Sequence, residues 1–394
     1  MPAHSWDTII VRFGGEIGIK AIWTRKQYER HLTQNIKAVL KHYNLTYSAF
    51  IKKAGRLYIK TDKPEEASRK LSKVFGVSSL SPAAETSSEL HDILDTSLQV
   101  ARTRFKPRKT FAVRCRRVGE HAYTSQDICE KAGDLLRASL PELKLRVNLT
   151  RPQQTLHIEV REERAYVFTE IINGVGGLPL GTQPKLVCLI EGDARSAVAC
   201  WMTMKRGCPP VLVHFQETSQ IKKANIKEAK AAARKLMDWN FGFVRRLHVI
   251  ENESFSKKRS LTCSDQLINL LVKRLILRVS RLIAEETHAE GIVVGDTIES
   301  DASHSIHAFR LQDEAVVDYP VYRPLIGLDA AEIEKTAKLI GFKKASNKRA
   351  KKRVEPRTAE ANKLDLETLH KAENEVNMKR LVERALKSHR VVTL

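Results

Sequence analysis

Residues 173–196 read Asn-Gly-Val-Gly-Gly-Leu-Pro-Leu-Gly-Thr-Gln-Pro-Lys-Leu-Val-Cys-Leu-Ile-Glu-Gly-Asp-Ala-Arg-Ser, and this stretch divides the chain. Its first part is rich in glycine and proline, which favour turns over regular structure. Residues 185–190 follow as a nearly uninterrupted apolar run, which is typical of a strand buried on both faces of a parallel sheet. The sequence therefore predicts a linker over residues 173–184 with a buried-sheet domain after it.

After the linker, apolar strand patterns alternate with amphipathic helix patterns as far as residue 342. This alternation predicts a doubly wound α/β domain with a mostly parallel sheet over residues 185–342. The last part, residues 343–394, begins with a basic run at 343–357 and returns to a helical pattern at 364–386. The basic run has two open interpretations, an added nucleic-acid contact or a solvated hinge.

Before the linker, two smaller α+β domains are predicted. Residues 1–76 follow the order β-α-β-β-α-β, which indicates a ferredoxin-like domain, with Thr24 expected to cap the first long helix. Residues 77–172 contain a strand at 110–116, a helix at 125–139 capped by Ser125, and a hairpin over 155–169. The chain is thus predicted to be multidomain, with α+β domains first and an α/β domain after them.

The charge of the chain is strongly positive, +22 over 394 residues. Residues 1–180 carry +11, residues 343–394 carry +8, and residues 181–342 carry only +3. An excess of this size favours an anionic polymer, most plausibly nucleic acid, as the partner of the N-terminal half. No apolar run reaches the roughly 20 residues of a membrane helix. The first residues lack a secretory pattern and the six cysteines are scattered, so we expect a reducing, cytoplasmic location without a disulfide scaffold or metal site.

Several motifs in this order resemble the tRNA 4-thiouridine synthetases, also called tRNA sulfurtransferases. The motifs are the linker at 174–183, Val-Arg-Phe-Gly-Gly-Glu-Ile-Gly-Ile-Lys at 11–20, Phe-Ala-Val-Arg-Cys-Arg-Arg at 111–117, and Tyr-Arg-Pro-Leu-Ile-Gly-Leu-Asp at 322–329. The resemblance implies a ferredoxin-like domain, a THUMP domain that binds tRNA, and a PP-loop ATP-pyrophosphatase domain that activates uridine 8 with ATP. It also makes a homodimer plausible.

Two basic clusters flank the predicted strand at 110–116, and arginine and lysine neutralise phosphates. They are expected to contact RNA; the alternative is a solvated strand end and loop. The candidate RNA-binding residues are Arg102, Arg104, Lys106, Arg108, Lys109, Arg114, Arg116 and Arg117.

The nucleotide loop departs from the family pattern. Where the family has Ser-Gly-Gly-x-Asp-Ser, this chain has Glu191-Gly192-Asp193-Ala194-Arg195-Ser196. Two carboxylates now stand where a polyanion would bind, so we predict weakened ATP binding, and Mg²⁺ only if the site is active. The positions that match ATP contacts of the family are Leu189, Ile190, Gly192, Ser196, His214, Phe215, Lys273, Gly295 and His304. For Leu189, Ile190 and Phe215 a plain strand core is an equal alternative.

The sulfur chemistry of the family uses cysteine, which no other side chain replaces. A Cys-x-x-Cys of archaeal members corresponds here to Asn269 and Val272, and residues 345–349 contain no cysteine. Cys263 is the only thiol near this region in sequence, while Cys188, Cys200 and Cys208 occupy core-type positions.

Three hypotheses follow. The first is a tRNA-binding protein with impaired or lost ATP-dependent sulfur transfer, working beside an active family member. The second is an active tRNA sulfurtransferase that uses an external sulfur-carrier protein. The third is a general RNA-binding component of a ribonucleoprotein.

Overall fold

The structure is a computed structural model, which describes residues 6–53, 55–217, 223–252, 264–298, 305–342 and 365–394. Three predicted features, His304, Cys263 and the basic run 343–357, lie outside these residues. The chain divides into two compact units, Met1–Pro179 and Leu180–Leu394. We call them the N-terminal and C-terminal units; their division falls inside the predicted linker.

The N-terminal unit begins with the predicted β-α-β-β-α-β order. Its elements are β1 (Thr8–Phe13), a short α1 (Gly15–Gly18), α2 (Ile22–His42), β2 (Ala49–Lys53), β3 (Arg56–Lys60), α3 (Pro64–Leu71) and β4 (Val77–Ser87). The strands pair antiparallel in the order β2-β3-β1-β4, as in a ferredoxin-like sheet. Helix α2 starts earlier than predicted: Ala21 is its N-cap, and Thr24 lies inside the helix.

The long strand β4 belongs to both halves of this unit. Its residues 77–83 pair with β1, and its residues 84–87 pair with β8. The second half comprises α4 (Leu90–Arg104), β5 (Thr110–Val118), α5 (Ser125–Ser139), β6 (Arg146–Val147), β7 (Gln154–Arg161), β8 (Arg164–Phe168) and β9 (Ile172–Asn173). One sheet therefore runs β2-β3-β1-β4-β8-β7-β5-β6, with β9 beside β4. The cap of α5 is Thr124, not Ser125, in a capping box with Asp127.

The C-terminal unit is the predicted α/β domain. It contains β10 (Lys185–Leu189), α6 (Ala194–Met204), β11 (Pro210–Glu217), α7 (Lys223–Met237), β12 (Arg246–Asn252), α8 (Asp265–Thr287), β13 (Ala289–Val293), α9 (Ile306–Asp313), β14 (Val321–Tyr322) and α10 (Ala330–Ile340). The sheet order is β14-β13-β10-β11-β12, and every pair in it is parallel. Its core strands are buried on both faces, as the apolar run at 185–190 predicts.

The C-terminal helical pattern at 364–386 folds as two helices rather than one. They are α11 (Leu366–Glu375) and α12 (Met378–Lys387), followed by a last strand, β15 (Arg390–Thr393). Asn377 interrupts the pattern because it takes a left-handed conformation, with φ of 52°, and caps α12 through the amide of Arg380. Strand β15 pairs antiparallel with β12. Among the described residues, no helix is long and apolar enough to cross a membrane.

Candidate functional site

The order of the parallel strands places a candidate site beyond the carboxyl end of β10. The chain proceeds from β10 to β11 on one side and later returns to β13 on the other. Ligands of open α/β sheets bind at such a reversal, outside the carboxyl ends of the strands. The loops that leave β10 and β13, residues 190–196 and 294–298, therefore form this site.

The loop after β10 turns into helix α6 through a cap supplied by its own carboxylate. Gly192 has a φ of 90°, which favours glycine, and it lies against helix α7. Asp193 is the N-cap of α6: its Oδ1 accepts hydrogen bonds from the Ser196 amide at 3.0 Å and the Ser196 hydroxyl at 2.8 Å. An N-terminal amide of the kind that binds phosphates in other proteins is thus occupied by Asp193.

The loop after β13 packs backbone to backbone on the start of α6. A Cβ at Gly295 would lie 2.8 Å from both the amide nitrogen and the Cα of Ser196. The guanidinium of Arg195 donates to the Thr297 hydroxyl at 3.3 Å and lies 3.7 Å from Asp193. The two loops therefore form one structure, and glycine at position 295 is what allows them to meet.

The cations of the site are already paired. Lys273 of α8 lies 3.0 Å from Asp296 and 3.5 Å from Glu191. Burial alone would lower the pKa of Lys273, but these two carboxylates outweigh it and raise the pKa above its ordinary value. Arg323 lies 3.6 Å from Asp296 and forms a bidentate pair with Asp313 at 2.8 Å. Each of these two cations therefore already has carboxylate partners among the described residues.

The predicted ATP positions within the described residues fall into two groups, and His214 lies apart from both. Gly192, Ser196, Lys273 and Gly295 come together at the site. Leu189, Ile190 and Phe215 belong to the strand core, where Phe215 is half-buried. His214 is buried and its Nδ1 donates to the Ile190 carbonyl at 2.7 Å, which holds the start of the loop. Burial lowers the pKa of His214, so the ring is neutral and its Nε2 is left without a partner among the described residues.

Burial makes several of the described cysteines poor nucleophiles. Burial raises the pKa of Cys115 to about 12 and of Cys208 to about 11, and it raises the pKa of the fully buried Cys200. A protonated thiol attacks slowly because the thiolate is the reactive form. Asn269 and Val272, which correspond to the Cys-x-x-Cys of archaeal members, lie within α8.

The predicted RNA-binding residues lie in the N-terminal unit but not in one cluster. Arg102 and Arg104 end α4, while Lys106, Arg108 and Lys109 form the loop before β5. Arg114, Arg116 and Arg117 lie on β5, up to about 20 Å further along the strand.

Three of these arginines are engaged within the protein, and Arg114 is one of them, because it donates to the Leu149 carbonyl at 3.3 Å. Arg104 pairs with Glu65 at 2.5 Å and lies 3.8 Å over the Trp6 ring, and Arg117 donates to the Gly119 carbonyl at 2.9 Å.

The structure adds three basic residues that the sequence analysis missed. Lys144, Arg146 and Arg151 are exposed, and β6 pairs parallel with the start of β5, beside Lys109. The sequence does show three basic side chains within residues 144–151, but only the pairing of β6 with β5 places them beside the loop before β5. We call the combined set the basic surface; it consists of Arg102, Lys106, Arg108, Lys109, Lys144, Arg146 and Arg151.

Arg114 and Arg116 line a different feature, a cavity of about 580 Å³ on the sheet. Inside it the His157 ring stacks on Phe168, with centroids 5.1 Å apart, and Arg12 pairs with Glu159 at 2.6 Å. Burial, together with Arg12 and Arg114, lowers the pKa of His157 to about 4. The cavity therefore presents arginine side chains and a neutral imidazole.

Comparisons with known proteins give a consistent result. Family models match three parts of the chain: "Thiamine biosynthesis protein (ThiI)" at 181–378, "ThiI ferredoxin-like domain" at 8–81 and "THUMP domain" at 87–170. A "Probable tRNA sulfurtransferase" from Methanosarcina acetivorans is 34% identical over 340 residues, which cover 85% of this chain and 81% of the relative. Another, from Methanosarcina mazei, is 32% identical over 393 residues, which cover 98% of this chain and 96% of the relative.

Among solved structures, a crystal structure of a 4-thiouridine synthetase–RNA complex with bound ATP matches with a TM-score of 0.83 and 27% identity. The match covers 99% of this chain and 100% of that chain. The predicted ferredoxin-like, THUMP and mostly parallel α/β domains are thereby confirmed.

Proposed function

Since the chain belongs to the ThiI family of tRNA sulfurtransferases, we propose that it binds tRNA and works in the synthesis of 4-thiouridine. The observation that carries this proposal is the match, over the full length of both chains, to a 4-thiouridine synthetase in complex with RNA and ATP. A protein that shared only an RNA-binding domain with that enzyme would match over one part of its length.

The basic surface of the N-terminal unit supplies the RNA contact in this proposal. Its seven side chains come from the end of α4, the loop before β5 and the segment around β6. Lysine and arginine on such a surface bind the phosphate backbone and fix the position of a folded RNA rather than recognising its sequence. The proposal therefore expects steep salt dependence and a preference for folded RNA.

Two observations on the described residues of the loop site count against the binding of a triphosphate. Asp193 occupies the Ser196 amide, and Lys273 is shared between Asp296 and Glu191. A triphosphate would meet the negative charges of Glu191 and Asp193, and among the described residues Lys273 and Arg195 are already engaged with carboxylates.

This misfit favours a second, narrower function: tRNA binding without ATP-dependent activation, in which the chain presents tRNA to an active family member. If the chain is itself the catalyst, we infer that sulfur comes from an external carrier protein, because the pKa values of Cys115, Cys200 and Cys208 are raised. Cys263, which lies outside the described residues, is the candidate thiol of this chain to accept that sulfur.

Binding is tested by gel shift with tRNA and with an unstructured RNA of equal length over a salt series. A Lys106→Ala/Lys109→Ala variant should bind tRNA more weakly and lower the salt slope by about 1.4–1.8, at 0.7–0.9 per lost phosphate contact. Lys335→Ala/Lys338→Ala removes the same charge from α10 and is the matched control. Equal affinity for both RNAs, or an equal loss in the control, would contradict the proposed RNA contact.

The chemistry is tested in a deletion strain by mass analysis of uridine 8 in its tRNA. Loss of 4-thiouridine that the wild-type gene restores supports the proposed function, and unchanged 4-thiouridine contradicts it. Isothermal titration with ATP and Mg²⁺ then separates the two forms of the proposal. Micromolar affinity supports the catalyst, and absence of binding supports the tRNA-presenting protein. A Cys263→Ala gene that fails to restore 4-thiouridine would identify that thiol as the acceptor.

A further inference from the structure

The start of α2 exposes large apolar side chains that a folded protein normally buries. Ile19, Ile22 and Trp23 are 85%, 77% and 70% exposed. They follow the short helix α1, and Ile22 and Trp23 form the first turn of α2. Tryptophan is rarely so accessible in a folded chain, and three such residues within five positions concentrate exposed apolar area at the start of α2.

The exposure follows from the geometry of α2. The buried face of this helix contains Tyr28, Leu32 and Ile36, whose spacing of four residues keeps them on one side. Trp23 precedes Tyr28 by five residues, which places it about 140° around the helix axis, toward solvent. The side chain is therefore not a displaced core residue, because no rotation of the helix buries it without exposing the core face.

The charge around Trp23 is positive. Residues 19–30 contain Lys20, Arg25, Lys26 and Arg30 against a single acid, Glu29. Glu29 is buried and bound by Arg25, at 2.9 Å, and by Lys52. Burial alone would raise the pKa of Glu29, but Lys52 and Arg25 hold it below its ordinary value. Residues 19–30 therefore have no exposed carboxylate, and the nearest exposed acid before them is the single Glu16 of α1.

We propose that this aromatic-basic surface, made of Lys20, Ile22, Trp23, Lys26 and Arg30, binds RNA, with Trp23 stacking on an unpaired base. The inference rests on the proposed function and adds a contact outside the basic surface. An exposed aromatic ring surrounded by cations is the arrangement with which proteins hold single-stranded nucleic acid: the cations bind phosphates and the ring accepts the face of any base. The positive charge favours RNA over an apolar protein partner.

The chain provides its own reporter for this contact. Of its four tryptophans, Trp6, Trp201 and Trp239 are 5%, 4% and 4% exposed, so iodide in solution reaches Trp23 almost alone. We expect tRNA to quench the red-shifted emission of Trp23 and to protect it from iodide. A Trp23→Ala variant should bind tRNA about tenfold more weakly, whereas Trp23→Phe, which retains a stacking ring, should bind nearly as well as the wild type.

Three controls make the result decisive. Tyr47→Ala removes another exposed aromatic ring of the same unit and should leave affinity unchanged. A blunt RNA duplex without unpaired bases should bind Trp23→Ala and wild type equally. Unchanged circular dichroism and Tm in Trp23→Ala would exclude misfolding.

The inference is overturned if wild-type protein binds tRNA while Trp23→Ala binds equally well and Trp23 emission is unaffected; the proposed function then stands without it. It is also overturned if Trp23 inserts into anionic lipid vesicles while tRNA leaves its emission unchanged. If the wild-type chain fails to bind tRNA, the proposed function and this inference fail together.

Discussion

Arg274 of α8 joins the C-terminal helices to the α/β core through a buried ionic cluster. Its Nε donates to Glu373 of α11 at 2.7 Å, one Nη donates to Glu314 at 2.6 Å, and the other donates to the Leu311 carbonyl at 2.5 Å. Arg278 binds the same Glu373 carboxylate at 2.5 and 3.0 Å. Arg274 is the largest fully buried side chain in the described part of the chain.

The two ends of this cluster should respond differently to removal. In Arg274→Met the Glu373 carboxylate still accepts two hydrogen bonds from Arg278. We therefore expect the free energy of unfolding to fall by about 3 kcal/mol, the lower end of the usual cost of breaking a buried ion pair. In Glu373→Leu the buried Arg274 keeps only Glu314 and a carbonyl, and we expect about 4–5 kcal/mol. In the double variant Arg278 is partly exposed and water solvates it, so the loss should be below about 3 kcal/mol, against about 7–8 for additive effects.

The assay is urea unfolding of the full-length chain, with hydrogen exchange of peptides from α8, α11 and α12 to locate the loss. The single variants should lower the midpoint without changing the slope and should raise exchange in these helices. The reasoning is refuted if the double variant loses as much as the two single variants together. It is equally refuted if Arg274→Met costs less than about 1 kcal/mol, since a buried charge cluster would then contribute nothing specific.

Three further changes probe the two units. Asp193→Ala removes the N-cap carboxylate of α6 and frees the Ser196 amide, so ATP affinity should rise by about tenfold in isothermal titration. A lower ATP affinity in this variant would instead show that Asp193 itself holds the nucleotide. Gly295→Ala should lower stability to urea by about 1–3 kcal/mol because its Cβ would meet Ser196 at 2.8 Å, whereas Gly327→Ala, with open space around it, is the neutral control. Burial raises the pKa of Glu159, but Arg12 and other arginines hold it below its ordinary value. The stability that this carboxylate contributes is therefore fully present when the pH is above the ordinary pKa of a glutamate, and it is lost as the pH falls through the lowered pKa. Glu159→Gln should consequently flatten the decrease of Tm on the acid side of a Tm–pH profile.

Local patterns in the sequence predict most of the fold. The glycine-rich linker and the apolar run after it predict the division of the chain, because turn formers and fully buried strands have distinct compositions. Strand pairing, by contrast, is not visible in local patterns. The first part of β4 pairs with β1 and its last part pairs with β8. Nothing in residues 77–87 themselves specifies two partners, since strand pairing depends on residues far away in the chain. The same reason hides β15, which reaches β12 across more than 130 residues.

The candidate site divides in the same way. Its composition is visible in the sequence, and the charges of Glu191 and Asp193 predict repulsion of a polyanion. The sequence does not show which groups these two carboxylates bind in the folded chain. Asp193 binds the amide of Ser196, three residues away, while Glu191 meets Lys273 from a helix 82 residues later. Local capping is within reach of sequence analysis, but the ion pair with α8 requires the fold.

These partners change what the two carboxylates mean for nucleotide binding. An unpaired carboxylate at the helix N-terminus would oppose ATP through its charge alone. A capping carboxylate such as Asp193 would also compete with a phosphate for the Ser196 amide. Releasing the Asp193 cap costs about 0.5–2 kcal/mol, less than a bound triphosphate supplies at micromolar affinity, about 8 kcal/mol. Among the described residues the larger obstacle is the pairing of Lys273, which would have to leave Asp296 or Glu191 to meet a phosphate. Two carboxylates in this loop are therefore compatible with membership of the family, and ATP affinity should depend on how readily Lys273 exchanges its partners.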